Sequence, residues 1–328
     1  MRNDSGRPAV PADAYLSLLA TMVFFGSAFA SSKVVVEQLP HQVAALLRFG
    51  GGALILVVIS AVLSVRRVDA PRLTWRQVAR CGFVGLLGVF AYNLLFFWAL
   101  SLAPSIDGSI IVPVLSPVVT TAALIVAGAE RTTVSRGVGL LLGLLGAAVF
   151  FLGIRGSGGE FSGSRLLGDV LFLLGAAAWA AYSIVSKKVL VGMEPLRATT
   201  IATAVGAVAL LIPAAPALGA AEWAAVSGTA WANVVYLAVG PTALAYLLFY
   251  QGLVKVSPST ATMMMFAVPV FGIACSVLFL GESFTAWQIV GSIVMLAGAV
   301  FAVNPWGGAR RPDRTRSARP AERLGSAR

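Results

Sequence analysis

The residues of this chain able to do chemistry are few, and their types suit recognition better than bond-breaking. Tyr246 and Tyr250 stand one helical turn apart and so share a helix face, with Gln251 beside them. Tyr92 and Asn93 occupy the matching place in the first half of the chain, and Trp179 and Tyr182 lie in a third apolar run. Aromatic faces and hydroxyls of this kind line a cavity for amphipathic organic solutes. The competing reading is an interfacial belt of Trp and Tyr, which is the expectation for Trp98 and Tyr236 near segment ends. Arg48 lies about 8 residues, or roughly 12 Å, inside an apolar run. A cation at that depth needs water, a partner or room to snorkel. It either meets a substrate carboxylate or ties the outer end of a helical bundle together.

The remaining polar residues narrow the field. His41 is the single histidine and Cys81 and Cys275 the only cysteines, so histidine-based metal sites and nucleophile triads have no members. No cofactor and no metal are expected. A run of three methionines, Met263 to Met265, spreads around a helix instead of lining one face and reads as packing. Glu130 and Glu282 follow helix ends and precede new helices, where a carboxylate is stabilised by the helix dipole, so they are expected to cap those helices. Asp107 is expected to be wet, near the outer end of its segment. Lys33 and Lys187 are expected to snorkel at helix ends, on opposite faces. Pro113, Pro117, Pro241 and Pro269 interrupt apolar segments and are hinge candidates.

What must position these groups is a set of membrane helices. Hydrophobic residues make up 58% of the chain and charged ones 11%, less than half the charged share of an ordinary soluble domain. Apolar runs long enough to cross a bilayer recur throughout. Spans are expected at about 13–36, 41–64, 78–102, 105–129, 134–154, 166–186, 196–217, 231–253, 257–280 and 284–303. The formal charge of +11 does not point to nucleic acid, because the basic residues sit between and after the apolar runs. With the N-terminus inside, all but Lys33, Arg48, Arg155 and Arg165 of the 24 basic residues fall on the inner side. That asymmetry puts both termini in the cytoplasm and the protein in the cytoplasmic membrane as a multi-pass chain. The first run carries an Ala28–Ala30 tripeptide of the signal-peptide kind, but its copy at 168–189 argues for a retained helix.

That copy belongs to a duplication of the whole chain. Tyr92 matches Tyr246 and Pro104 matches Pro258 at a spacing of 154 residues, while Pro117 matches Pro269 and Glu130 matches Glu282 at 152. The expected organisation is a polar arm (1–12), a five-helix repeat (13–154), a Gly/Ser-rich linker (155–165), a second repeat (166–304) and a disordered basic tail (305–328). Five spans per repeat is an odd number, so the second copy enters the bilayer from the opposite face. Inverted repeats supply two related conformations around a midplane site, the geometry of alternating access. Gly137, Gly139, Gly143, Gly146, Gly291 and Gly298 suggest close helix packing.

In its two five-helix halves, its aromatic–small–aromatic starts of spans 1 and 6 (Phe25–Lys33, Trp179–Lys187), its Pro-Ser endings of spans 3 and 8, and its Ala-Glu and Gly-Glu closures of spans 4 and 9, the chain resembles the EamA-type ten-helix transporters of the drug/metabolite transporter superfamily. The resemblance covers nearly all of 14–303 and implies movement of small metabolites, often amino acids or related compounds and frequently outward. Phe25 departs from it, standing where such proteins often carry Trp. The expectation is an all-α membrane protein of ten transmembrane helices, with a small-molecule substrate and the lipid bilayer as partners. An intramembrane enzyme would need paired carboxylates or a Ser/His or Lys dyad at common depth, and a scaffold or sensor leaves the duplication without a purpose.

Overall fold

The computed structural model describes residues 12–65, 74–128, 134–155, 163–189, 193–249, 266–283 and 285–303. Every long element among them is a helix, and no strand occurs. In chain order these are α1 (Ala12–Val36), α2 (His41–Val65), α3 (Trp75–Gly85), α4 (Tyr92–Leu102), α5 (Ser105–Val126), α6 (Val134–Arg155), α7 (Gly163–Val189), α8 (Pro195–Ala220), α9 (Gly228–Leu237), α10 (Val268–Leu280) and α11 (Ala286–Val303). A π-helical stretch, Leu86–Ala91, joins α3 to α4 in one continuous segment, and a second, Ala238–Leu244, carries α9 onward. Seven helices are long and apolar enough to cross a membrane, and shorter apolar helices at Gly137–Phe150, Val268–Leu280 and Ala286–Gly298 fall where three more spans are expected. The protein is an all-α membrane protein. The N-terminal arm, the linker and the basic tail lie almost wholly outside the described residues, as do Glu130, Tyr250, Gln251 and Met263–Met265.

Local chemistry sets the helix ends. Thr74 and Gln77 form a capping box at α3, and Thr285 with Gln288 does the same for α11. Ser227 accepts a hydrogen bond from the Ala230 N–H at the start of α9. α10 ends on Gly281 at φ 66°, a left-handed turn that glycine adopts without strain. Leu54, Leu141, Ile212, Leu278 and Phe279 point outward from the bundle, as surfaces meeting lipid must. Inside, small residues let backbones approach. A Cβ on Gly26 would meet the backbone of Gly272 at 2.8 Å, and one on Gly298 would meet the Gly139 carbonyl at 2.8 Å. The glycines expected to sit in tight contacts do so at 143, 146, 291 and 298, whereas a Cβ at Gly137 would meet open space.

The closest packing joins the two halves of the chain to each other. α6 lies along α11, α2 against α8, α4 and α5 against α7, and α1 against α10. The pattern survives exchange of the halves: α1 packs on α10 as α7 packs on α5, and α1 on α9 as α7 on α3. The π-helical stretches obey the same exchange, each lying just ahead of a tyrosine, Tyr92 or Tyr246.

Three expectations need correction. Asp107 is fully buried, not wet, because Arg165 and Gln288 of the second half close over it. Glu282 does not cap the helix that follows it. Its carboxylate turns back to α5, accepting from the N–H groups of Ser105 (2.8 Å) and Ile106 (2.7 Å), while Thr285 serves α11. Pro269 does not interrupt a described helix. It sits in the first turn of α10, where a proline's missing N–H costs no bond. Pro113 and Pro117 do lie inside α5, and Pro241 inside the second π-helical stretch.

Candidate functional site

The two π-helical stretches place the central residues. Widening a helix by one residue per turn strips carbonyls of their ordinary partners, and such turns recur at functional sites. Asn93 donates from its Nδ2 to the carbonyls of Gly88 (3.1 Å) and Val89 (3.0 Å). Thr242 donates to the carbonyl of Leu237 at 2.8 Å. Asn93, expected in the cavity wall, therefore spends both amide hydrogens on its own helix and shapes the wall from behind.

Arg48 of α2 is 8% exposed, deep among aromatic rings. Its guanidinium carbon lies 4.9 Å from the ring centre of Phe49, 5.8 Å from that of Phe96 and 5.9 Å from that of Phe97, within cation–π range. Its polar contacts are two long hydrogen bonds, to Thr242 Oγ1 at 3.4 Å and Ser32 Oγ at 3.5 Å. Among the described residues no carboxylate pairs with it. A guanidinium has five N–H donors, so most of the hydrogen-bonding capacity of Arg48 is left over.

From Arg48 the aromatic residues run on in contact. Phe96 lies against Tyr92, ring centres 5.8 Å apart. Tyr92 meets Trp179 at 5.0 Å, and Trp179 meets Tyr182 at 5.2 Å. Phe25 of α1 stands edge-on to Tyr246 at 6.0 Å. Tyr182 and Tyr246 then face Gly88, Val89, Thr199 and Thr203 across a narrow crevice to which both halves contribute. The structure thus gathers Arg48, Tyr92, Trp179, Tyr182 and Tyr246 into one region. Trp98 is partly exposed and stacks on His41 at a segment end, in keeping with a belt position. Tyr236 turns its hydroxyl to Ser27 at 2.6 Å, within the bundle.

A second polar group escaped the sequence reading. At the end of the bundle where α1 stops and α5 starts, here the far end, Lys33 donates to the carbonyls of Leu100 (2.8 Å) and Ala103 (3.1 Å), which close α4. Arg165 grips Asp107 through Nε (3.0 Å) and Nη2 (2.9 Å). The Nε2 of Gln288 donates to Asp107 at 3.1 Å, and Ser105 and Ser276 share a hydrogen bond at 2.7 Å beneath Glu282. Asp169, one turn along α7 from Arg165, is fully buried. A lone aspartate inside an apolar run was the signal available for it. Among the described residues no group of three or more His, Cys, Asp or Glu side chains has metal-binding geometry.

Comparison with known proteins adds a consistent picture. A model of the EamA-like transporter family matches residues 13–152 and again 166–304. An uncharacterised transporter of Bacillus subtilis, YyaM, is 23% identical over 292 residues, spanning 88% of this chain and 92% of its own. A probable terminal-alkyne amino-acid exporter of Streptantibioticus cattleyicolor is 26% identical over 299 residues, 91% of this chain and 96% of its own. The aromatic amino acid exporter YddG of Ancylobacter novellus is 27% identical over 187 residues, 57% of this chain and 62% of its own.

Proposed function

The chain belongs to the EamA-like transporter family, and from that premise we propose that it exports small zwitterionic metabolites with apolar or aromatic side groups, amino acids first among them, by alternating access across the cytoplasmic membrane. The observation that carries the reading is Arg48: a buried cation, stacked on Phe49, Phe96 and Phe97 and without a carboxylate partner among the described residues. A substrate carboxylate supplies the missing charge, and desolvation by the surrounding rings strengthens the pair. The apolar side group then lies along Tyr92, Trp179 and Tyr182. Two relatives named as exporters of amino acids support the substrate class. The exchange-symmetric packing supports a rocking motion in which one set of contacts opens as its counterpart closes. Positive charge on the termini side supports cytoplasmic ends.

The test is flux of labelled phenylalanine, leucine and unrelated sugars in proteoliposomes. Movement of amino acids but not sugars is expected. Arg48→Gln removes the charge at a buried pair, and a loss of about 2–5 kcal/mol predicts a fall in apparent affinity of about thirtyfold or more. Wild-type flux from a folded Arg48→Gln protein would reject the carboxylate site. Absence of flux for every amino acid would reject the substrate class.

A further inference from the structure

Both carboxyl oxygens of Asp169 are buried and have no hydrogen-bond donor among the described residues. Asp169 lies one turn along α7 from Arg165, whose guanidinium holds Asp107, so the two carboxyls are neighbours. Neighbouring carboxylates repel, and one that receives no donor is stable in a buried place only with a hydrogen of its own. Asp107 already receives Arg165 and Gln288, which favours its ionised form. Asp169 receives nothing, and the hydrogen belongs there.

The surrounding charges agree. Arg165 lies on the same helix as Asp169, Asp107 on α5, Gln288 on α11, and Glu282 and Lys33 lie close by. α4 and the π-helical stretch before it carry no charged residue, and Arg76 and Arg80 of α3 sit at the opposite end of the bundle. With Asp169 ionised, four acids, Asp107, Asp169, Glu282 and the exposed Glu37, stand around Lys33 and Arg165. With Asp169 neutral, Lys33 and Arg165 match Asp107 and Glu282, and Glu37 faces water. An uncompensated buried charge is costly, so the neutral form is the one that matches a closed end.

We propose that Asp169 binds a proton and that this proton latches the far end of the bundle shut. Arg165 forms the rim of the cluster, one quarter exposed, while Asp169 lies a turn deeper. Water reaches Asp169 only if α5, from the first half, parts from α7, from the second. Parting hydrates the carboxyl, which gives up its proton to water as a carboxylate; closing takes one proton back. The far end thus closes with uptake of one proton, whichever solute the central crevice carries. The inference goes beyond the transport reading, and neither arm of its test requires flux.

The first arm is infrared spectroscopy of the purified full-length protein in lipid nanodiscs. A protonated-carboxyl band is expected near neutral pH in the wild type. It should be absent in Asp169→Asn and retained in Glu282→Gln. No such band in the wild type overturns the proposal even if the variant fails to fold, and so does a band that survives Asp169→Asn. The second arm measures the separation of spin labels on exposed Ser101 and Ser164, in a background with Cys81 and Cys275 changed to Ala. The distance should widen as pH rises and stay short in Asp169→Asn, which mimics the neutral acid. A distance indifferent to pH, or one that follows sodium in place of pH, overturns it.

Discussion

Glu282 holds the first turn of a helix from the other half of the chain: its carboxylate accepts from the backbone N–H groups of Ser105 and Ile106 and from the Ser105 hydroxyl. The α5 terminus leaves those N–H groups without intrahelical partners and concentrates positive dipole there, so an anion answers both needs. Removing it with Glu282→Ala should lower stability by about 0.5–2 kcal/mol, the range for a lost N-cap. Thermal melting in detergent reads this, with Glu282→Gln falling between wild type and Ala. An unchanged melting point in Glu282→Ala would show that the contact contributes nothing.

The aromatic wall makes a separate prediction. Trp179 lies between Tyr92 and Tyr182, on the wall proposed for the substrate's side group, and losing one ring contact with that group, worth about 0.5–1.5 kcal/mol, should weaken affinity about two- to tenfold in Trp179→Ala. Tyr246→Ala should behave alike, with folded protein retained. Wild-type flux in both variants would dismiss the aromatic cavity while leaving the family assignment intact.

Thr242 lies where the second π-helical stretch, its own helix and Arg48 meet. Thr242→Val keeps the shape and removes the hydroxyl, leaving the Leu237 carbonyl without that partner. A cost of about 1–3 kcal/mol in stability is expected. A larger effect on amino-acid affinity than on melting temperature would mark the Arg48 contact as the part that counts for binding.

At the crossing of α6 and α11, Gly298 has no room for a methyl group, since the Gly143 Cα would lie 2.9 Å from it. Gly298→Ala should destabilise by about 1–3 kcal/mol through overpacking. Gly137→Ala, with open space around it, should leave the melting temperature unmoved.

Sidedness is open to direct labelling. The turn after α1 and the stretch before α9 touch, through a hydrogen bond from the Ser227 N–H to Gln38 at 2.8 Å, and Glu37 and Glu222 nearby are exposed. Cysteines placed at Glu37 and Glu222 should both react with a membrane-impermeant maleimide from outside intact cells. Reaction from inside alone would reverse the proposed orientation.

How far the sequence could be read follows from where each partner sits in the chain. Helices announce themselves through local composition, and the Tyr92 and Tyr246 segments through their duplicated pattern. The π-helical stretches do not, because they are a backbone detail whose one cue, Pro241, occurs in a single copy. The burial of Asp107 is concealed for a different reason. Its guanidinium partner lies 58 residues away and its amide partner 181, so no local pattern reveals the burial. Glu282 reads in the sequence as a cap for the helix that follows it, yet only the fold shows that it caps α5 while Thr285 serves α11.

Because α1, α2, α4, α5 and α6 each rest chiefly on helices made later, the first half leaves the ribosome with its best surfaces unmatched. It must wait in the lipid as loosely associated segments until its counterpart is inserted. Biogenesis is therefore a late, two-body event, and a chain truncated within the linker should be cleared by membrane proteases, whereas the two pieces made together in one cell should assemble.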